Sequence, residues 1–209
     1  MLPATAGPPS AEIEELFGDI DIYLFDQLAR GRFDGRRRVL DVGCGEGRNL
    51  RYLLARGYDC CAIDRDPRAI ERLRRDACTL TASDQLERFI VGEADTLAWH
   101  DDSFDVVICS AMLHFADDAA HFGRMVSEMW RVLAPNGLLF ARLASTIGLD
   151  GFAGAGGQRV RLPDGSDRFV VNEAMLLDWT ARLGGSLADP IKTTNVQGQR
   201  CMTTWCVWK

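Results

Sequence analysis

Short apolar runs alternate along this chain with stretches whose apolar residues recur at helical spacing. That alternation predicts a mostly parallel sheet covered on both faces by helices. The clearest helical period lies in Ala119 to Leu133, where Phe122, Met125, Val126, Met129, Val132 and Leu133 share one face. Ser10 to Phe17 and Asp19 to Leu28 predict two short N-terminal helices, with Ile20, Tyr23, Leu24 and Leu28 on one apolar face. A further helix is expected from about Gly47, with Leu50, Leu53 and Leu54 inward and Gly57 closing it. Asp66 followed by Pro67 is a cap and first-turn pair, and Asn172 caps a helix running to Leu183.

Strands are predicted at Arg38–Val42, Asp59–Ile63, Glu87–Val91, Phe104–Cys109 and Leu138–Leu143, the last entered through the turn Pro135-Asn136-Gly137. Ser145 to Gly157 is glycine-rich, and Val160 to Val171 reads as a hairpin turning at Pro163-Asp164-Gly165. Two final strands lie near Ile191–Val196 and Cys201–Trp208, and the tight return Gln197-Gly198-Gln199 makes them antiparallel. The count is seven strands, mostly parallel, with the last antiparallel.

Met1 to Pro9 is rich in Pro, Ala and Gly and reads as a disordered tail, leaving residues 10–209 as one domain. Its parts are N-terminal helices (10–33), a core (36–143), the glycine-rich loop and hairpin (145–171), and the C-terminal helix and strands (172–209). A chain of 209 residues has room for one α/β core and little else. The formal net charge of −6 argues against a large phosphate-binding surface, and so against DNA as a partner. Arg36-Arg37-Arg38 and Arg72 to Arg75 read as solvated edge charge. Seven cysteines without C-x-x-C spacing, and three histidines, make a metal cluster an unfavourable reading. With no apolar run long enough for a membrane span and no signal peptide, the expectation is a reduced, cytoplasmic chain, monomeric or homodimeric.

Val39-Leu40-Asp41-Val42-Gly43-Cys44-Gly45-Glu46-Gly47 is a buried strand that breaks into glycines before a helix. Glycines at Gly43, Gly45 and Gly47 let backbone bend tightly and approach a ligand. In an open parallel sheet, ligands sit at the carboxyl ends of the strands. A dinucleotide site would show G-x-G-x-x-G, offering a helix N-terminus to a pyrophosphate. Here the spacing is G-x-G-x-G, Arg48 takes the sixth place, and Asp41 precedes the glycines. That acid suits an amino-acid ammonium and disfavours a phosphate.

Five ordered segments resemble the class I S-adenosylmethionine (SAM)-dependent methyltransferases: Asp41 with its glycines, Asp64, Gly92-Glu93-Ala94-Asp95, Ser103-Phe104-Asp105-Val106-Val107, and Trp130-Arg131-Val132-Leu133-Ala134-Pro135-Asn136-Gly137. The resemblance runs from about Arg38 to Leu143, half the chain. It implies a Rossmann-like α/β fold and SAM as cofactor, with S-adenosylhomocysteine (SAH) as product. It also implies roles for individual residues. The backbone of Gly43, Cys44, Gly45 and Gly47 would meet the methionine portion, with Asp41 near its ammonium. Asp64 would accept from the ribose hydroxyls, Arg65 would flank the adenine, and Glu93 and Ala94 would read it, with Asp95 an alternative to Glu93. Ser110 would line the site after the fourth strand. A strand-end carboxylate is also a common turn or cap, the role that Asp66 takes.

Methyl transfer from a sulfonium is an in-line displacement, for which a base is needed only where the nucleophile must lose a proton. The segment Cys109 to Phe115 lacks the Asn/Asp-Pro-Pro-aromatic motif of nucleobase amine methyltransferases. His114 is the candidate general base and a candidate substrate contact; the other reading is that it packs beside the cofactor. His121 is expected to face solvent. Tyr23, Phe25 and Trp99 are substrate wall or core, and Arg159, Arg161 and Arg168 either meet an anionic substrate or are ordinary surface charges. The acceptor is expected to be a small molecule. Alternatives are a protein or RNA acceptor, a non-catalytic SAM-binding module, and an NAD(P)-dependent oxidoreductase.

Overall fold

The computed structural model describes residues 9–80, 86–152 and 154–209. Most of the expected tail, residues 1–8, lies outside the described residues, as does residue 153 of the glycine-rich loop; Pro9 already belongs to a helix. In chain order come α1 (Pro9–Phe17), α2 (Ile22–Ala29), β1 (Arg38–Val42), α3 (Arg51–Ala55), β2 (Asp59–Asp64) and α4 (Pro67–Ala77). Then follow β3 (Phe89–Val91), β4 (Phe104–Ser110), a 3₁₀ turn (Leu113–Phe115), α5 (Ala119–Val132) and β5 (Leu133–Ser145). The hairpin β6 (Gln158–Arg161) and β7 (Asp167–Val170), α6 (Glu173–Arg182), β8 (Ser186–Leu187), β9 (Lys192–Val196) and β10 (Arg200–Trp208) complete the chain.

The main sheet runs β3-β2-β1-β4-β5-β10-β8, with β9 also paired to β10. The first five strands are parallel. β10 is antiparallel to β5, β8 and β9. β8 meets the end of β10 at Val207 and Trp208, whereas β9 pairs with Arg200 to Thr204, both opposite the β5 side. The two therefore share one edge position, so eight strands occupy the seven expected places. The fold is the α/β, Rossmann-like sheet that the alternation predicts.

Strand alternation divides the core into two layers. Leu40, Val42, Leu139, Ala141 and Trp205 pack with Phe122, Val126 and Met129 of α5. Val39, Ile108 and Phe140 face the opposite way, toward Leu24, Leu53 and Ile70 of α2, α3 and α4. Trp205 is fully buried, and its indole N–H donates to Thr180 Oγ1 at 2.9 Å.

Some element boundaries depart from expectation for local reasons. The helix expected from Gly47 begins only at Arg51, because Gly47 sits at φ +82°, outside any right-handed helix. β5 starts at Leu133 rather than Leu138, and its pairing with β4 is irregular between Phe104 and Val106, where the Pro135–Gly137 turn is absorbed. β3 is shorter by two residues than the predicted Glu87–Val91.

Asp105, in the segment Phe104-Asp105-Val106-Val107, has a structural task at the opposite end of the sheet from the glycine loop. Its carboxylate accepts from the N–H groups of Arg37 and Arg38, each at 2.9 Å, and from Arg38 Nη2 at 2.7 Å. This pins the start of β1 against β4. Partial burial pushes its pKa up, but Arg38 and the two main-chain donors outweigh it and hold the carboxyl below 3.8. Its contribution is therefore full above about pH 4 and is lost as pH falls through the lowered value. Asp105→Ala should lower unfolding free energy by about 2 kcal/mol in urea titrations at neutral pH. A change below ~0.5 kcal/mol would show that the clamp is solvated away.

Candidate functional site

β1 ends where Gly43 turns at φ +70°, and a Cβ there would lie 2.3 Å from Met112 Cγ. The loop leans on β2: Gly43 N and Cys44 N donate to Ile63 O at 2.8 and 3.2 Å. Gly45 N donates to Asp64 Oδ2 at 2.8 Å, while Asp64 Oδ1 accepts from Asp66 N at 2.9 Å. Asp64 thus braces the glycine loop to its own strand, and each carboxylate oxygen still has acceptor capacity. Asp66 has the separate job expected of it, capping α4 by accepting from Arg68 N at 2.9 Å.

A cavity opens along these strand ends. Gly43, Asp64, Arg65, Glu93 and Ala94 line it from the β1, β2 and β3 side. Ala111, Met112, Phe115, His121 and Met125 form the facing wall. Arg65 and Glu93 are exposed and Ala94 half-buried, so the site is a mostly apolar slot with a carboxylate at its middle and another at its rim.

Asp41 lies beneath the loop, 1% exposed, with no partner for either carboxylate oxygen among the described residues. Burial raises its pKa to about 7; the Arg48 cation opposes the rise and the Asp64 carboxylate adds to it. A buried acid without a partner carries a desolvation penalty that a bound cation would relieve. An amino-acid ammonium fits that requirement, and a phosphate does not.

The remaining sequence candidates separate into two groups. The Cys44 side chain is buried in the core beside Leu50 and Leu73, and burial pushes its thiol far up, so only its main chain is placed toward a ligand. Asp95 bonds Arg124 at 3.2 Å and lies 3.8 Å from His121 Nε2, whereas Glu93 lines the cavity. Ser110 is absent from the cavity wall; it donates to Asp21 Oδ2 at 2.9 Å and accepts from Arg48 at 3.2 Å. Tyr23 is half-buried, hydrogen-bonded to Thr194, with Arg142 4.9 Å above its ring. Asp21, Arg48, Ser110, Arg142 and Tyr23 therefore form a second polar cluster next to the cavity.

His114 is 6% exposed, lies outside the cavity wall, and its Nδ1 has no partner among the described residues. Burial pushes its pKa down to about 4, and the Arg168 and Arg200 cations add to that. The ring is therefore neutral at physiological pH and a weak base. Arg159 donates to Ala116 O at 3.0 Å and pairs with Asp167, and Arg168 covers the Phe115 ring at 4.8 Å. These two arginines dock the hairpin onto the 3₁₀ turn. His121 departs from the solvent-facing expectation: its side chain is 21% exposed and lines the cavity, with Asp117 and Asp95 flanking the ring. The signal was its position four residues before Met125, which puts both on one helix face. Met112 belongs to the Cys109–Phe115 segment that the resemblance places at the site; that it seats against Gly43 is what the sequence does not mark.

With this geometry in view, the likeness to known proteins is specific. The Methyltransferase domain family matches residues 40–141. An uncharacterized methyltransferase of Mycobacterium tuberculosis is 34% identical over 103 residues, 49% of this chain and 38% of that protein. The ubiquinone biosynthesis O-methyltransferase of Xylella fastidiosa is 32% identical over 158 residues, 73% of this chain and 62% of the relative. The chain spans less than two thirds of the length of either relative. A solved SAM-dependent methyltransferase of Methanosarcina mazei superposes with TM-score 0.68 at 20% identity, covering 87% of this chain and 96% of that one. Residues 40–141 thus match a methyltransferase domain, and the fold is shared with a solved SAM-dependent methyltransferase.

The raised pKa of Asp41 has a measurable consequence. Its folded-state value of about 7 lies above the ordinary 3.8, so the folded chain retains a proton there that the unfolded chain has lost. Stability from this group therefore falls as pH rises from about 4 to 7. Asp41→Asn removes that slope, so its melting temperature should gain on the wild type between pH 5 and pH 8, measured by calorimetric scans. A difference that stays constant with pH would mean Asp41 is ionised in the folded protein throughout.

Proposed function

We propose that this protein transfers a methyl group from SAM to a small-molecule acceptor by in-line displacement. The observation that carries this reading is the row of groups along consecutive strand ends: Glu93 and Ala94 after β3, Asp64 ending β2, and the glycine loop over unpartnered Asp41 at β1. Their order matches adenine, ribose and amino acid of one extended ligand. In this assignment Asp64 accepts from the ribose hydroxyls, Arg65 flanks the adenine, and Asp41 balances the ammonium. The main chain of Gly43, Cys44, Gly45 and Gly47 follows the methionine portion. SAM, when bound, supplies a methyl already activated on a sulfonium. What the chain must add is alignment and exclusion of water, for which Met112, Phe115 and Met125 supply apolar wall.

The oxidoreductase alternative fits less well. A dinucleotide pyrophosphate needs a helix N-terminus at the end of the glycines. Here α3 begins four residues beyond Gly47 and is only five residues long, and two carboxylates lie at the loop instead. The net charge of −6 and the pairing of many arginines with acids also weigh against a nucleic-acid acceptor. His114, buried and neutral, favours a packing role over that of general base. No helix among the described residues is long and apolar enough to cross a membrane. The seven free cysteines, six of them buried, support a reducing, cytoplasmic setting.

Titration calorimetry with SAH tests the assignment. Wild-type protein should bind SAH, and Asp64→Ala should weaken binding by about 1.5–3 kcal/mol, the value of hydrogen bonds to a charged group. An unchanged dissociation constant would place the ribose elsewhere. Stabilisation by NAD but not by SAH in thermal shift would overturn the methyltransferase reading for this chain.

A further inference from the structure

The second polar cluster lies where a cofactor laid along the strand ends would stop. Adenine, ribose and methionine occupy the ends of β3, β2 and β1, and the next two strands in the sheet are β4 and β5. Adjacent strands are about 5 Å apart. The last residue of β4, Ser110, is the registered neighbour of Arg142 on β5, so their side chains rise from the same face.

Arg142 is an unusual residue to find there. Its side chain is only 20% exposed, and Nη1 reaches a single carboxylate, Asp21 Oδ2, at 3.2 Å. Its Nε is buried and has no hydrogen-bond partner among the described residues. The guanidinium carbon lies over the Tyr23 ring, 4.9 Å from its centre, and Tyr23 is itself hydrogen-bonded to Thr194. A buried N–H donor without an acceptor is destabilising, and sites that tolerate one commonly complete it with a ligand. A guanidinium that uses one amino group on Asp21 leaves its Nε unpaired, and because that atom is buried, a carboxylate making the planar, two-toothed contact there must displace the side chains that cover it.

Under the methyltransferase reading proposed above, the cofactor's own carboxylate is assigned to Arg48. Arg48 leaves the glycine loop, lies 3.7 Å from Asp21, and is the cation whose field reaches Asp41. Arg142 sits beyond it. Asp21 serves both guanidiniums as well as the Ser110 hydroxyl, so two cations share one buried anion. The cluster can accept a further negative charge.

Resting on the methyltransferase reading above, we propose that Arg142 binds a carboxylate of the methyl acceptor. Tyr23 orients its guanidinium, and Ser110 forms the floor between the carboxylate and the cofactor. The acceptor is then a small organic acid, recognised through its carboxylate whichever atom receives the methyl group.

The test follows the Arg142 Nε–H resonance in ¹⁵N-labelled full-length protein saturated with SAH, assigned by its loss in Arg142→Lys. Benzoate and malonate, added against sodium chloride of equal ionic strength, should shift this resonance saturably. Benzamide and malonamide should not. In Arg142→Gln, carboxylate affinity followed on neighbouring resonances should fall by about tenfold or more, with SAH affinity held within about twofold by calorimetry. A resonance that moves with SAH alone and ignores the carboxylates would assign Arg142 to the cofactor and overturn the proposal. Shifts equal for acids and amides, or no shift with any probe, would overturn it too. If SAH itself does not bind, the underlying methyltransferase reading fails first, and calorimetry distinguishes that result from a failure at Arg142.

Discussion

The glycine loop leaving β1 is tied to the end of β2 through the Ile63 carbonyl and the Asp64 carboxylate. That tie sets the width of the slot at the strand ends. Asp64 is the carboxylate that holds the Gly45 amide, acting beside the buried Cys44 side chain and the Glu46–Arg72 ion pair to fix the loop from Gly43 to Gly47. The same carbonyl-to-amide pattern continues outward, with Gly92 N donating to Asp64 O at 3.0 Å and bringing Glu93 and Ala94 to the rim. Asp64 therefore positions the loop beside it through its carboxylate and the Gly92–Ala94 segment beyond it through its main-chain carbonyl. The brace leaves acceptor capacity on both oxygens, which is compatible with the ligand-binding role proposed for Asp64.

Beneath that tie lies an electrostatic cost. Asp41 is buried without a partner, and Asp21 is buried while serving two arginines and a serine. Groups in such surroundings are expensive unless compensated, and here the compensation is unequal. Asp41 lacks a cation, and the Arg142 Nε lacks an acceptor. In the assignment proposed above, the cofactor's ammonium answers the first and the acceptor's carboxylate the second. The unpartnered Asp41 carboxylate and Arg142 Nε thus lie on one face of β1, β4 and β5.

Much of the fold was legible because it rests on local signals. The Asp66-Pro67 start, the helical period from Ala119 to Leu133 and the glycine punctuation at β1 each act within a few residues, and each element formed there, with Leu133 passing to the following strand. The start of α3 was misplaced because helix periodicity does not register that Gly47 is held at positive φ. On the cofactor side, Asp64, Arg65, Glu93 and Ala94 stand together at one cavity, since they follow successive strands whose order the pattern implies. The acceptor side was less legible. Ser110 was read as lining the cofactor and Tyr23 as substrate wall or core, but the residues that join them, Asp21 and Arg142, are 121 positions apart and meet only through the sheet order. His114 looked like a base because of its residue type; the 3₁₀ turn that carries it places the ring in the interior.

The central claim is that one extended cofactor lies across the ends of β3, β2 and β1. A crystal structure of the complex with SAH tests it most directly. The account predicts adenine between Glu93 and Ala94 and the His121–Met125 wall, ribose hydroxyls on Asp64, and the ammonium against Asp41. SAH bound in another orientation, or at another edge of the sheet with the slot left to solvent, would contradict it.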